Sequence, residues 1–108
     1  MVEQTFELDN IFRSLADPIR RDILRRVAEC ELSVNELAAR YDVSLAAVSK
    51  HLKVLERARL VHKRREGRQY KVTAAADALK EADAYLEQYR QMWQGRMDKL
   101  ETLLTEEK

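Results

Sequence analysis

A single cysteine, Cys30, is all the thiol the chain has, so no disulfide can form within it. Glycine is nearly as scarce, at two residues, and proline occurs once, at Pro18. That composition leaves no material for a flexible linker or a low-complexity tract, and no internal repeat is visible. No apolar run approaches the length of a membrane span or a signal-peptide core, which leads to the expectation of a soluble cytoplasmic protein that does not engage a membrane. Catalytic groupings are missing too. There is no pairing of nucleophile and base and no glycine-rich phosphate loop, and the carboxylates are spread over helix surfaces, so an enzyme is not expected. The 108 residues suit one small domain spanning 1–108.

Excess charge is also lacking: the net value is +1, which argues against indiscriminate nucleic-acid binding. Its distribution is uneven. Residues 1–49 hold six Lys/Arg against nine Asp/Glu, residues 50–71 nine against two, and residues 72–108 five against eight, giving −3, +7 and −3. A basic block between acidic flanks suits a localised anionic partner, although a merely solvated charge run has the same composition.

Apolar spacing divides the chain into helices. Leu8, Ile11, Phe12 and Leu15 predict a first helix ending near Ala16. Asp17-Pro18 is an N-cap followed by proline at the first helical position, and Ile19, Ile23, Leu24 and Val27 give the second helix an apolar face to about Glu29. Ser33 and Glu36 form a capping box that opens a third helix, Val34 to about Tyr41. Asp42 and Val43 separate it from Ser44, an N-cap for a fourth helix with an apolar stripe at Leu45, Val48, Leu52 and Leu55. Leu37, Ala38, Tyr41, Val43 and Val48 fall where a helix-turn-helix needs apolar or small residues, and Asp42 takes the turn position, where a short Asp tolerates positive φ.

Two β-prone runs, Val61 to Arg65 and Arg68 to Thr73, flank Glu66-Gly67 and predict a hairpin. From about Ala74 to Leu104, Leu79, Ala82, Leu86, Tyr89, Trp93, Met97, Leu100 and Leu104 predict a last helix capped by Thr73, with Gly95 a candidate bend. At about 1.5 Å per residue that helix is about 45 Å long, more than so small a domain can cover. The expected fold is mainly α, about five helices with a small β-hairpin wing: a winged helix-turn-helix.

The exposed side of the fourth helix is small at its start and basic at its end. Ser44, Ala46, Ala47 and Ser49 would clear room at base edges in a major groove, and Lys50, Lys53 and Arg57 would meet phosphates. Lys63, Arg64, Arg65, Arg68 and Gln69 on the hairpin would reach the backbone or an adjacent minor groove. An exposed helix face with lysines for solubility is the plainer alternative, and a module that docks a partner protein through the same basic face is the functional rival.

Leu15-Ala16-Asp17-Pro18-Ile19-Arg20-Arg21-Asp22-Ile23-Leu24, then Val48-Ser49-Lys50-His51-Leu52-Lys53-Val54-Leu55, then Arg65-Glu66-Gly67-Arg68 resemble the arsenic-repressor (ArsR) family of bacterial transcriptional regulators over nearly the whole chain. The resemblance implies a homodimeric winged-helix repressor that binds a double-stranded DNA operator and often controls its own transcription unit. Arg59 departs from the family pattern, which usually has glycine there, a sign of possible positive φ. Many members sense metals through cysteines at the start of the third helix or through His and acidic ligands on the last. Here Ser33 and Asn35 stand in place of the thiolates, and the last helix has no His. Cys30, His51 and His62 have no close His or Cys pairing, so neither metal nor other cofactor is expected. Cys30 is read as a small packed residue rather than a redox switch, with coupling of two subunits through the lone thiol left open, and His51 either as half-buried with a structural hydrogen bond or as a phosphate contact. His62 has no assigned role. The run from Tyr89 to Leu100 is similar to a non-metal branch of the family, that of the sporulation-delaying-protein repressor.

An apolar stripe that outruns its domain points to a second copy. Leu8, Ile11 and Phe12 of the first helix, with Leu86, Tyr89, Trp93, Met97, Leu100 and Leu104 of the last, are the expected dimer contacts. Two recognition helices about 34 Å apart would call for an imperfect inverted repeat. Tyr85, Tyr89, Met92 and Trp93 suit core packing or a small-molecule pocket, and an effector, small molecule or protein, stays open.

Overall fold

The computed structural model describes the backbone of residues 2–106 and the side chains of residues 7–106. Its elements run α1 (Val2–Ser14), α2 (Pro18–Glu29), β1 (Leu32–Ser33), α3 (Val34–Ala38), α4 (Leu45–Arg57), β2 (Val61–Glu66), β3 (Gln69–Ala74) and α5 (Ala76–Glu106). The starts of α2, α3 and α4 are those the caps dictate. Asp17 Oδ2 accepts from Arg20 N–H at 3.0 Å, Ser44 Oγ accepts from Ala47 N–H at 3.1 Å, and Ser33 and Glu36 satisfy each other's backbone donors at 3.0 Å.

The turn between α3 and α4 differs from the sequence expectation. α3 ends at Ala38, and Arg40 and Tyr41 N–H close onto Leu37 and Ala38 carbonyls, a tightened last turn rather than a further helical one. Among the described residues Arg59 is the one non-glycine with positive φ, so the turn is made without a left-handed Asp42.

Ile23, Leu37, Val48, Leu52, Leu55, Leu60, Val72 and Ala78 form the core, with Ile11 among them. The placement of Ile11 corrects its assignment to the dimer surface: the side chain is 1% exposed and fully used inside its own protomer. Leu45 corrects the stripe of α4. It is 51% exposed, lining an open groove with Ser33, Val34 and Asn35 at the start of α3 rather than entering the core.

The hairpin gains a third strand. β1, too short to be read from two residues of sequence, pairs antiparallel with β3 (Leu32↔Val72, Ser33↔Lys71), giving the order β1-β3-β2. β2 and β3 pair from Val61↔Ala74 to Glu66↔Gln69, leaving Gly67 and Arg68 as a two-residue turn with Gly67 at φ 64°. Positive φ at the first turn residue alone is the sign pattern of a type II′ turn, which needs glycine there. β3 also takes in Thr73, paired with His62, so Thr73 does not cap the last helix, which starts at Ala76.

α5 runs 31 residues without interruption at Gly95, and only Ala78 and Ala82 of it are buried. Beyond Leu86 it projects from the body. The radius of gyration is 18.7 Å, with extents of 67 × 33 × 20 Å, against about 13 Å for a compact chain of this length.

Candidate nucleic-acid interface

With Val48, Leu52 and Leu55 turned inward, the period of α4 puts Ala46, Lys50, Lys53 and Arg57 on its exposed side, with Ala47 and Ser49 half-buried at the margins. The wing adds a second wall. Alternation along β2 and β3 sets Lys63, Arg65 and Tyr70 on the sheet face that carries buried Val61 and Val72, the face turned toward the helices. There the Lys63 ammonium lies 4.9 Å from the Tyr70 ring centre. Leu45, Ser49 and Lys53 on one side and Lys63, Arg68, Gln69 and Tyr70 on the other enclose an open groove of about 400 Å³. Among the described residues Lys50, Lys53, Arg57, Lys63 and Arg68 make no ion pair. Their charge is available to a partner.

Arg64 is placed differently. It stands on the opposite sheet face, with Nη2 2.9 Å from Glu31 and Nη1 3.0 Å from Glu66, and these carboxylates raise its pKa further. Arg65 Nε donates to the Gly67 carbonyl at 3.2 Å near the tip. Of the sequence-predicted interface residues of α4, Ser49 and Lys53 share this groove with Lys63, Arg68 and Gln69; Ala46, Lys50 and Arg57 lie along the exposed side of the helix outside it, and Arg64 is turned away.

The pair α3 and α4 is held against α2 by a polar contact that the sequence reading missed. Tyr41 Oη donates to Asp22 Oδ2 at 2.6 Å, and Asp22 also accepts from Arg26 at 2.8 Å and Arg25 at 2.6 Å. These donors, Tyr41 first, hold the Asp22 carboxyl far below the usual carboxylate range, while burial and then the Asp22 bond push the Tyr41 phenol up to about 12. Reading Tyr41 as apolar filler captured its ring and not its hydroxyl. The signal was Asp22 itself, with arginines three and four residues on.

His51 takes the structural role. Its Nδ1 lies 3.2 Å from Arg20 Nη1, and Arg20 in turn donates to the Ser14 and Arg13 carbonyls at 2.7 and 3.1 Å, tying α4 to the end of α1. Cys30 corrects its expected packing: it is exposed, as the C-cap of α2 in extended conformation. His62 is exposed on the wing. Ser33 spends its hydroxyl on the α3 cap, and no group of three or more His, Cys, Asp or Glu able to hold a metal occurs among the described residues. None of the described helices is long and apolar enough to cross a membrane.

Arg59 follows α4 with φ 61°, as its glycine-like position foretells. Its guanidinium reaches Glu81 on α5 at 3.0 Å and Glu7 on α1 at 3.3 Å. Alongside, the Phe12 ring centre lies 6.1 Å from that of Tyr85, which lies 5.4 Å from that of Tyr89 with hydroxyls 3.0 Å apart. Leu8 is half-buried. Phe12 and the α5 residues Leu86, Tyr89, Trp93, Met97, Leu100 and Leu104 are exposed.

Two helices crossed by a short turn, the second presenting free cations beside a basic hairpin, define a winged helix-turn-helix protein. Residues 15–64 match the family described as a helix-turn-helix domain. The chain is 51% identical over 59 residues to the HTH-type transcriptional regulator Rv2034 of Mycobacterium tuberculosis (55% of each chain). It is 45% identical over 67 residues to the HTH-type transcriptional regulator YuzN of Bacillus subtilis (56% of this chain, 73% of that one). The ArsR-like transcriptional regulator from Rhodococcus sp. RHA1 superposes with a TM-score of 0.78 at 29% identity, over 95% of this chain and 94% of that one. The chain belongs to the ArsR family of helix-turn-helix transcriptional regulators. It spans about half the length of the first curated relatives it matches.

Proposed function

We propose that this protein is a sequence-specific DNA-binding transcriptional regulator, a homodimeric repressor acting on an imperfect inverted-repeat operator and its own transcription unit. The observation that carries this reading is that Lys53 of α4 shares one groove with Lys63 and Arg68 of the wing, with Lys50 and Arg57 unpaired along the exposed side of the same helix. α4 enters the major groove. Ser44, Ala46, Ala47 and Ser49 allow close approach, Lys50 reaches base edges, and Lys53, Arg57, Lys63, Arg65, Arg68 and Gln69 follow phosphates and the adjoining minor groove. Arg64, already paired, contributes little.

Residues 1–108 act as one unit, with α5 as the dimerisation arm. Two copies cover each other's Phe12, Leu86, Tyr89, Trp93, Met97, Leu100 and Leu104, with Leu8 at the edge. The exposure of that stripe on a helix longer than its own domain supports this pairing. Ser33 and Asn35 at the start of α3 favour a branch of the family that uses no metal, in keeping with a relationship to the repressor SdpR of Bacillus subtilis (28% identical over 60 residues).

Binding to duplex DNA from upstream of the protein's own gene, followed by fluorescence anisotropy, tests the reading. A dimer that neutralises 6–10 phosphates loses about 10³–10⁵ in affinity between 50 and 200 mM salt. Affinity indifferent to salt, or no retention of any duplex at low salt, overturns it and leaves the basic face to a protein partner.

A further inference from the structure

The first turn of α4 has an unusual composition for a helix that reads bases. The rest of its apolar stripe, Val48, Leu52 and Leu55, is at most 2% exposed, whereas Leu45 at the first helical position is 51% exposed and Val43 just before it 38%. Ala46 and Ala47 end at their methyl groups. The Ser44 hydroxyl is engaged as acceptor for Ala47 N–H. No amide, guanidinium, ammonium or carboxylate occurs in this turn, and the first long polar side chain is Lys50.

The N-terminal residues of a recognition helix are those that meet base edges. A bidentate hydrogen-bond contact is beyond this turn. What remains legible to an apolar group in the major groove is the C5-methyl of thymine. Leu45 also lines the groove between the start of α3 and the wing, together with Val34, Tyr70 and the cations Lys53, Lys63 and Arg68. The three cations suit a polyanion.

We infer that Leu45 is a specificity-determining residue that packs against the C5-methyl of a thymine in each half-site, with Val43 flanking it. The inference rests on the duplex binding proposed above and names what the bound duplex must carry: a thymine recognised by its methyl group. 5-Methylcytosine offers the same methyl at the same ring carbon. Deoxyuridine and unmethylated cytosine do not.

The test begins with duplexes recovered by the wild-type protein from a random pool. Each thymine of the recovered half-site is replaced singly by deoxyuridine, and affinity is measured by anisotropy. At one position the loss of the methyl weakens binding about fourfold. Cytosine placed there binds poorly, and its C5-methylation regains a similar factor. Leu45→Ala binds the thymine and deoxyuridine duplexes alike with an unchanged salt dependence, while Leu45→Met keeps the discrimination and shows that the site tolerates substitution. If wild-type protein binds its selected duplex but ignores deoxyuridine at every position, or if Leu45→Ala still discriminates, the inference is overturned and the DNA-binding proposal stands. If wild-type protein retains no duplex at all, the binding proposal fails and the inference with it.

Discussion

Arg64 Nη2 lies 2.9 Å from Glu31 Oε2, on the side of the wing away from α4. An arginine already shared between Glu31 and Glu66 has less free charge to offer a phosphate than Lys63, one residue earlier on the opposite face. Lys63→Ala is expected to weaken operator binding several-fold and to reduce the slope of log affinity against log salt by about one unit. Arg64→Ala is expected to leave both nearly unchanged. Anisotropy titrations of the two variants at three salt concentrations check this.

Tyr41→Phe removes the hydroxyl that Asp22 accepts from and is expected to cost about 1.5 kcal/mol, the low end for a hydrogen bond to a charged group in a half-exposed setting. The folded-state pKa of Tyr41 is raised to about 12. Its contribution is therefore complete below the ordinary tyrosine value of about 10 and is lost as pH rises through the folded value. Asp22 is shifted the other way. Its contribution is present above the ordinary aspartate value of about 4 and is lost as pH falls toward its depressed folded value. Urea midpoints between pH 3 and 12 should show both declines in the wild type, with the alkaline one absent in Tyr41→Phe.

Arg59 sets backbone strain against two exposed ion pairs. At φ 61° any side chain is disfavoured, and surface ion pairs to Glu7 and Glu81 compensate weakly. Arg59→Gly is expected to raise Tm by a few degrees by relieving the left-handed conformation. Arg59→Ala, which keeps the strain and loses the pairs, is expected to lower it. Thermal melts followed by circular dichroism separate the two.

Trp93 is the only tryptophan and is 59% exposed on the projecting half of α5. Pairing with a second copy would bury it, so its emission maximum is expected to shift to the blue as protein concentration rises through the dimer dissociation constant. Leu100→Glu should abolish that shift, yield a monomer by sedimentation and weaken operator binding by at least tenfold, since each monomer then meets a half-site alone. A concentration-independent spectrum and a monomeric wild type would count against the dimer.

The starts of α2, α3 and α4 were legible because they depend on local chemistry: Asp17-Pro18, the Ser33/Glu36 box and Ser44 each act within four residues. The left-handed backbone at Arg59 was foreshadowed only by the family resemblance, in which glycine is usual at that position. What escaped depends on partners far along the chain. β1 exists because β3 lies beside it, Ile11 is buried because α1 is covered on that side by the core, and Leu45 is exposed because it opens onto the groove between the start of α3 and the wing. Charge pattern located the basic surface but could not say which wing arginine faces it, because that depends on strand register. The bond from Tyr41 to Asp22 spans 19 positions, so the local cluster of Asp22 with Arg25 and Arg26 marked the acceptor but not its tyrosine partner.

Because successive residues of β2 look to opposite sides, the electrical polarity of the wing is a matter of parity. An insertion of one residue in that strand would exchange Lys63 and Arg64 between the two sides, while an insertion of two would restore them. Divergent chains that keep the same DNA-facing side are therefore expected to change wing length in even steps, or to move a basic residue one place whenever they change it by an odd one.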